Sequence, residues 1–585
     1  MTDSIDRSTD LSQPLDRLGP DERLKHDSDY LRGTIDASLL DRISGGVRFE
    51  DNKLMKFHGL YQQDDRDIRD ERRRQKLEPA YTFMVRVRLP GGVCTPEQWL
   101  KIDELARRHG GDTLRLTTRQ TFQFHWVLKE DLRPTIQGLH DVLLDTVAAC
   151  GDDSRGVMAT ADSGDCALHA EVAALAKSLS DHVIPKTGAY HEIWYGKERV
   201  ATSEEEEPFY GRIYMPRKFK IGFVVPPSND IDVYSQDLGF IVVTGADGSV
   251  EGFNVAIGGG MGRSDQDPGS YPRLADVIGY ISKGKLVATA DAVMSVQRDY
   301  GNRVDRARAR FKYTIDRLGL DFVTAEIERR LGAALEPARP FEFTSNGDVI
   351  GWRENGGGRF NLTLFILSGR LANRPGKALL DGLREIAKVH RGKFRLTPNQ
   401  NLIVADIPAE ERPRIEAILA AHGIGETGAS ALRRNAIACV ALPTCPLAMA
   451  EAERYLPDFT AKVEAILAEN GLIDEPITMR ISGCPNGCSR PYIAEIALTG
   501  RAPGKYTLWL GGGFHGERLN RPVLDNEGEA AILATLSETL GRYARERVAG
   551  EHFGDFLHRS GYFEPAHDSA AGDPMLDRAE ATTRA

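Results

Sequence analysis

Seven cysteines among 585 residues are too few, and odd in number, for an extracellular disulfide framework in a chain of this size. A reducing, cytoplasmic setting is therefore expected. No run of about eighteen apolar residues occurs anywhere, which gives no sign of a membrane-spanning helix. The opening MTDSIDRSTDLSQPLDRLGPDERLKHDSDY lacks the apolar stretch of a secretion signal and reads as a polar arm, disordered over about its first 25 residues. A formal net charge of −10 disfavours general binding to nucleic acid but leaves room for a local basic pocket. With 41% hydrophobic and 27% charged side chains, the chain is an ordinary globular protein long enough for three or four domains.

What the chain does contain is repetition. LRLTTRQ (114–120) precedes TFQFHWV, and FRLTPNQ (394–400) precedes NLIVADI, each a turn leading into a strand. FNVAIGGGMGR (253–263) and YTLWLGGGFHGER (506–518) follow in the same order, a strand running into three glycines. The repeated order predicts a duplicated α+β unit, although either glycine triplet alone would be a commonplace turn. Within the first copy YTFMVRVRLPGGV (81–93) alternates like a strand, and TPEQWLKIDELARRHG (95–110) has the threonine cap, early proline and closing glycine of a helix. RFNLTLFIL (359–367) and KALLDGLREIAKVHRGK (377–393) repeat that succession, and DRARARFKYTIDRLG (305–319) is helical in pattern. The glycine triplets offer backbone N–H groups to an anion, without forming a nucleotide-binding fingerprint.

Four of the cysteines are grouped: Cys439 and Cys445 with five residues between them, Cys484 and Cys488 with three. Two short loops of this kind can surround a 4Fe-4S cluster with thiolates. Zinc is the rival, but structural zinc sites favour closer CxxC pairs. Four unrelated buried thiols would not cluster so, whereas the scattered Cys94, Cys150 and Cys166 read as small buried hydrophobes. The segment PLAMAEAERYL after Cys445 is a strong helix former, which puts Cys445 at a helix N-terminus whose N–H groups favour thiolate.

CVALPTCPLAMAEAERYLP (439–457) together with MRISGCPNGCSR (479–490) resembles the signature of the sirohaem and 4Fe-4S sulfite and nitrite reductases. HDSDYLRGTI (26–35), FHGLYQQDDRDIRDER (57–72), RLPGGV (88–93), RLTTRQTFQFH (115–125), MPRKFK (215–220), DRARARFKYT (305–314) and LTPNQNLIVA (396–405) extend the likeness over about residues 20–560, most closely to the family's assimilatory haemoprotein branch. The resemblance implies an α+β fold of pseudo-twofold ferredoxin-like modules with two larger mixed domains. It assigns 1–80 to an arm wrapping the core, 81–148 and 338–425 to the half-domains, 149–337 to a sirohaem and substrate domain, and 426–565 to a 4Fe-4S and sirohaem domain, before a disordered tail at 566–585.

Sirohaem carries a rim of carboxylates, for which arginine is the best partner. Arg115, Thr117, Arg119, Gln123 and His125 alternate along an extended segment and can face one way, though by themselves they also fit a solvated polar face. By resemblance they line the sirohaem, with Asn486 and Arg310, while Cys439, Cys445, Cys484 and Cys488 ligate the cluster and Cys488 is also axial to the sirohaem iron. The resemblance further assigns sulfite to Arg86, Arg155, Lys218 and Lys220, and a lysine rather than a neutral amide at 220 favours sulfite over nitrite. The implied reaction is six-electron reduction of sulfite to sulfide for cysteine biosynthesis. No flavin or NADPH motif is present, so an external donor is implied: a flavoprotein subunit carrying FAD and FMN and using NADPH, or ferredoxin. A non-catalytic zinc- or cluster-bearing module is the reading from a different class.

Overall fold

Thr95 caps the helix Pro96–His109 through a full capping box with Gln98, and Pro96 occupies its first turn, as the sequence pattern predicts. The apolar face of that helix carries Trp99, which stacks at 4.5 Å on Phe394 from the second repeat. The computed structural model describes residues 15–563 apart from 162–165, 187–192, 196–197, 202–206, 265–266, 268, 356 and 426–427. The start of the predicted arm and the predicted tail from 566 lie outside the described residues.

Two five-stranded sheets form the half-modules. One orders Leu60–Asp64, Tyr81–Arg86, Phe122–Val127, Leu114–Leu116 and Arg370–Leu371; the other orders Gly351–Glu354, Arg359–Leu364, Leu402–Pro408, Lys393–Leu396 and Val93–Cys94. Each sheet takes its last strand from the other repeat, Arg370 pairing with Arg115 and Cys94 with Phe394. The exchange joins the modules into one apolar core, in which Phe83, Trp99 and Phe122 meet Leu383, Phe394 and Val404.

The larger sheets repeat as well. Met158–Ala159, Ile221–Val224 and Leu238–Thr244 run parallel and continue antiparallel into Val250–Ile257 and Asp276–Ser282. Ala436–Ala438, Met479–Ser482, Ile496–Ala502, Lys505–Leu510 and Arg521–Glu527 do the same. In both, the second strand leads through a loop to a residue of positive φ, Asp232 at 51° or Arg490 at 56°, and then a single 3-10 turn.

The glycine triplets have a packing role, and the first and third amides of each serve internal carbonyls. The amides of Gly258 and Gly260 donate to the carbonyls of Asp237 and Arg273, and those of Gly511 and Gly513 to Glu495 and Arg518. A Cβ on Gly259 would lie 2.2 Å from the Tyr234 carbonyl oxygen, and one on Gly512 2.3 Å from that of Ala494. Two helix expectations are also corrected. After Cys445 the chain makes turns and becomes helical only at Leu456–Glu469, because the Met449 and Ala450 amides both go to the Gly483 carbonyl. In the 305–319 segment a 3-10 turn Arg306–Arg308 precedes the helix Phe311–Leu318. The arm is ordered earlier than expected: Lys25, in the helix Pro20–Asp27, is buried and donates to Glu22 at 2.6 Å and the Met215 carbonyl at 2.8 Å.

A glutamine in the left-handed region fastens each half-module to a large sheet. Gln120 (φ 54°) receives the Ala159 amide at 2.9 Å and donates to the Ala159 carbonyl at 2.7 Å. Gln400 (φ 68°) makes the same pair with Ala438, at 3.3 and 3.0 Å. Removing a clamp strands buried backbone groups, at about 1–3 kcal/mol each. Gln400→Ala strands the Ala438 amide while Arg115 still serves its carbonyl, and is expected to cost about 1–3 kcal/mol, read as a lower thermal unfolding midpoint; an unchanged midpoint would exclude the clamp.

Candidate active site

The half-modules, the arm and both large sheets enclose a cavity of about 510 Å³. Cys439, Cys445, Cys484 and Cys488 all line it. Cys439 follows the edge strand Ala436–Ala438 and accepts the Gly483 amide at 3.2 Å; the Cys484 sulfur accepts from Asn486 Nδ2 at 3.6 Å. The amides of Leu447 and Ala448 hydrogen-bond to Cys445, so the donors expected of a helix end are supplied by a turn. Gly483 is required by contact, since a Cβ would sit 2.5 Å from that of Ala441. Burial first, then neighbouring sulfurs, push Cys445 up to about 11 and Cys484 up to about 12. Such sulfurs are stable as thiols or as ligands of a positive centre that displaces their protons. Among the described residues no three His, Cys, Asp or Glu side chains converge on a single-ion point. Four sulfurs spaced around a cavity suit a bulky cluster better than one zinc.

The rest of the lining is cationic. Twelve Lys or Arg residues face the cavity against two acids, Asp21 and Asp152, in a chain whose overall charge is negative. Burial, then Arg155 and Arg490, lower Arg119 to about 9, although it donates to Gln236 at 3.0 Å and to the Gly156 carbonyl at 2.7 Å. Burial, then Arg217, Arg310 and Arg155, lower Lys218 to about 7. Lys220 is held well below the ordinary lysine value by burial, Lys218 and Arg119. Burial and the nearby Arg370, Arg115 and Arg86 keep His125 neutral. Its Nε2 is buried without a hydrogen-bond partner, as is Arg155 Nε. The unmatched Arg155 N–H and the crowded cations call for a large polyanion.

Arg86, Arg115, Thr117, Arg119, Gln123, His125, Arg155, Lys218, Lys220, Asn486 and the four cysteines all converge on this cavity. Arg310 does not line it: its guanidinium is turned to the buried Asp237, at 2.9 Å. Arg115 donates to the Ala438 carbonyl at 2.8 Å and is ion-paired to Glu453, close behind Cys439. Sequence reasoning missed Arg217, which stands inside the MPRKFK motif, and Arg490, two residues beyond Cys488. It also missed the arm, whose Asp21, Lys25, Lys53 and Lys56 form one wall, and Arg306, which bridges Asp21 and Asp152 at 2.6 and 2.7 Å. No local pattern announces such long-range wall residues.

The family described as the nitrite/sulfite reductase ferredoxin-like half domain matches residues 74–142 and 353–422, and the nitrite and sulphite reductase 4Fe-4S domain matches 175–335. The "Sulfite reductase [NADPH] hemoprotein beta-component" of Nitrobacter hamburgensis is 67% identical over 558 residues, covering 95% of this chain and 97% of that protein. The chain belongs to the nitrite and sulfite reductase family. Relatives of the same description from Nitrosomonas europaea and Geobacillus kaustophilus are 66% and 55% identical, covering 95% and 94% of this chain and 96% of each relative. The Mycobacterium tuberculosis NirA protein shares the fold, with a TM-score of 0.74 at 24% identity over 93% of this chain and 96% of that one. Iron-sulfur and haem-type cofactors follow from family membership. The stretch matching the family's 4Fe-4S domain, 175–335, contains no cysteine here; all four cavity cysteines lie in the second copy.

The lining fits a carboxylate-rimmed tetrapyrrole beside a cluster: sulfurs on one side, unmatched donors and crowded cations on the other. In the cofactor-free chain Lys218 should acylate with a pH midpoint near 7, far below a surface lysine. Loading a polyanion favours the protonated amine and should move that midpoint upward, as checked by peptide mass spectrometry across a pH series. A midpoint in the ordinary lysine range without cofactor would refute the crowding.

Proposed function

We propose that this chain is the haemoprotein component of an assimilatory sulfite reductase, carrying out the six-electron reduction of sulfite to sulfide for cysteine biosynthesis. The observation that carries this reading is the meeting of four cysteines and twelve cations on one cavity. Cys439, Cys445, Cys484 and Cys488 would hold the 4Fe-4S cluster, with Cys488 also serving the neighbouring sirohaem. Arg115, Thr117, Arg119, Gln123, His125 and Asn486 would hold the sirohaem, whereas Arg310 supports from behind. When bound, these groups supply single-electron transfer and an iron site for the reacting sulfur.

The protein's own part is electrostatic and protonic. Sulfite is a dianion whose oxygens must each leave as water, so its pocket needs concentrated positive charge and a supply of protons. Arg86, Arg155, Lys218 and Lys220 would bind those oxygens. Arg86 Nη1 is oriented by the Cys150 sulfur at 2.8 Å, and Arg155 by the carbonyls of Ala149 and Gly151 at 3.0 and 2.8 Å. Lys218, lowered to about 7, gives and regains a proton readily near neutrality. The relatives' description as the hemoprotein component of an NADPH enzyme supports electron delivery by a separate flavoprotein, with ferredoxin the alternative. No helix among the described residues is long and apolar enough to cross a membrane, in keeping with a proposed cytoplasmic site of action.

Purified holoprotein should show a sirohaem Soret band with a red-shifted α band, four cluster irons and acid-labile sulfide; a colourless protein would overturn the reading. Cys488→Ser should lose the cluster or its magnetic coupling to the haem, and with it nearly all turnover. An unchanged EPR spectrum with full activity would exclude the bridging role. Lys220→Asn should reduce kcat/KM for sulfite by about tenfold more than for nitrite, a difference of about 1.4 kcal/mol. Equal losses on both anions would remove the argument for sulfite preference.

A further inference from the structure

Asp237 holds the backbone of Lys220, yet does not itself line the cavity. It is wholly buried and precedes the strand Leu238–Thr244. Its carboxylate accepts Arg310 Nη2 at 2.9 and 3.0 Å and the Lys220 amide at 3.0 Å. The Lys220 carbonyl in turn accepts the Leu238 amide at 3.0 Å. Both backbone groups of residue 220 are thereby tied to 237–238, which sets the direction in which the lysine side chain leaves the strand.

The second copy supplies an internal comparison. Glu495, also wholly buried, precedes the strand Ile496–Ala502, accepts the Thr478 amide at 2.8 Å, and the Ile496 amide returns to the Thr478 carbonyl at 3.0 Å. The backbone device is the same, but the other acceptor oxygen takes the Gly554 amide at 2.9 Å and no arginine is present. Holding the backbone therefore does not require an arginine partner. Where the neighbouring residue is Thr478 the acid stands alone; where it is Lys220 the acid is ion-paired.

We propose that Asp237 and Arg310 form a positioning pair for Lys220: the carboxylate aims the lysine through its backbone, and the ion pair fixes the local field in which that lysine meets sulfite. This rests on the reading of Lys220 as a sulfite ligand. Lys220 is faced by Lys218, Arg119 and Arg310 on one side of the charge balance and by Asp237 on the other; Asp237 also opposes Lys312. Removing the carboxylate leaves Arg310 uncompensated, disfavouring protonated Lys220, whereas removing the guanidinium has the opposite effect.

The test uses cofactor-loaded enzyme, with sulfite binding followed by optical titration and kcat/KM measured against pH. Asp237→Asn keeps an oxygen for the Lys220 amide and should move the basic limb of both profiles down by about one pH unit. Arg310→Gln should move them up, and the charge-neutral double variant should return near the wild-type position. In the cofactor-free chain, the pH midpoint for acylation of Lys220 should shift in the same directions. Shifts of the same sign in both single variants, or a double variant as displaced as the worse single, would show mere loosening and overturn the pair. An unaltered binding profile in Lys220→Met would instead overturn the reading of Lys220, and the pair with it.

Discussion

Arg490 stands where the two halves of the chain meet. Its guanidinium is ion-paired to the buried Asp232 and donates to the carbonyls of Thr118 at 2.8 Å and Pro398 at 3.2 Å. Asp232 and Arg490 hold equivalent places before the 3-10 turns of the large sheets, and Thr118 and Pro398 equivalent places in the RLT segments. One side chain thus touches all four repeated units. Arg480 completes the group at 2.7 Å from Asp232 and reaches the Arg490 carbonyl at 3.1 Å. Two guanidiniums share the one Asp232 carboxylate and backbone carbonyls take further N–H groups, so burial is tolerable; a buried pair broken on one side costs about 3–5 kcal/mol. Arg490 also lines the cavity, so the joint between the copies and the rim of the site share one residue.

Duplication explains why the site is asymmetric on a symmetric frame. Arg155, Lys218 and Lys220 come from the first large unit, while the four cysteines come from the second. The loop Gly483–Arg490 carries Cys484 and Cys488, whereas the corresponding loop Val225–Asp232 reads VPPSNDID and has no cysteine. On the proposed reading neither copy would suffice alone, because the cysteines that would hold the cluster and most of the cations that would bind the anion belong to different copies. The exchanged strands and Arg490 tie the copies to each other, while the paired glutamines fasten each half-module to the large sheet of its own copy.

Gathering a dozen cations in one partly buried cavity is costly, and the frame meets that cost with few acids. Asp152 takes Arg306 at 2.7 Å and Arg217 at 3.5 Å, and Asp237 takes Arg310. The balance is left for the occupant: burial first, and the uncompensated neighbouring cations second, hold Arg119 and Lys218 below their ordinary values.

Residue type and local spacing already determined the paired cysteines, the RLT segments, the duplication and the capped helix Pro96–His109, because each is written within a few residues of chain. Tertiary structure alone decided what lay between segments far apart. It turned Arg310 away from the cavity toward Asp237, spent the outer two amides of each glycine triplet on internal carbonyls, and unwound PLAMAEAERYL by offering Met449 and Ala450 the Gly483 carbonyl. It also brought the arm to the cavity wall through Lys25, whose partners Met215 and Asp152 are remote in sequence. Hydrogen bonds and ion pairs are short-ranged, so which group satisfies a given donor is known only once the chain has brought the candidates together.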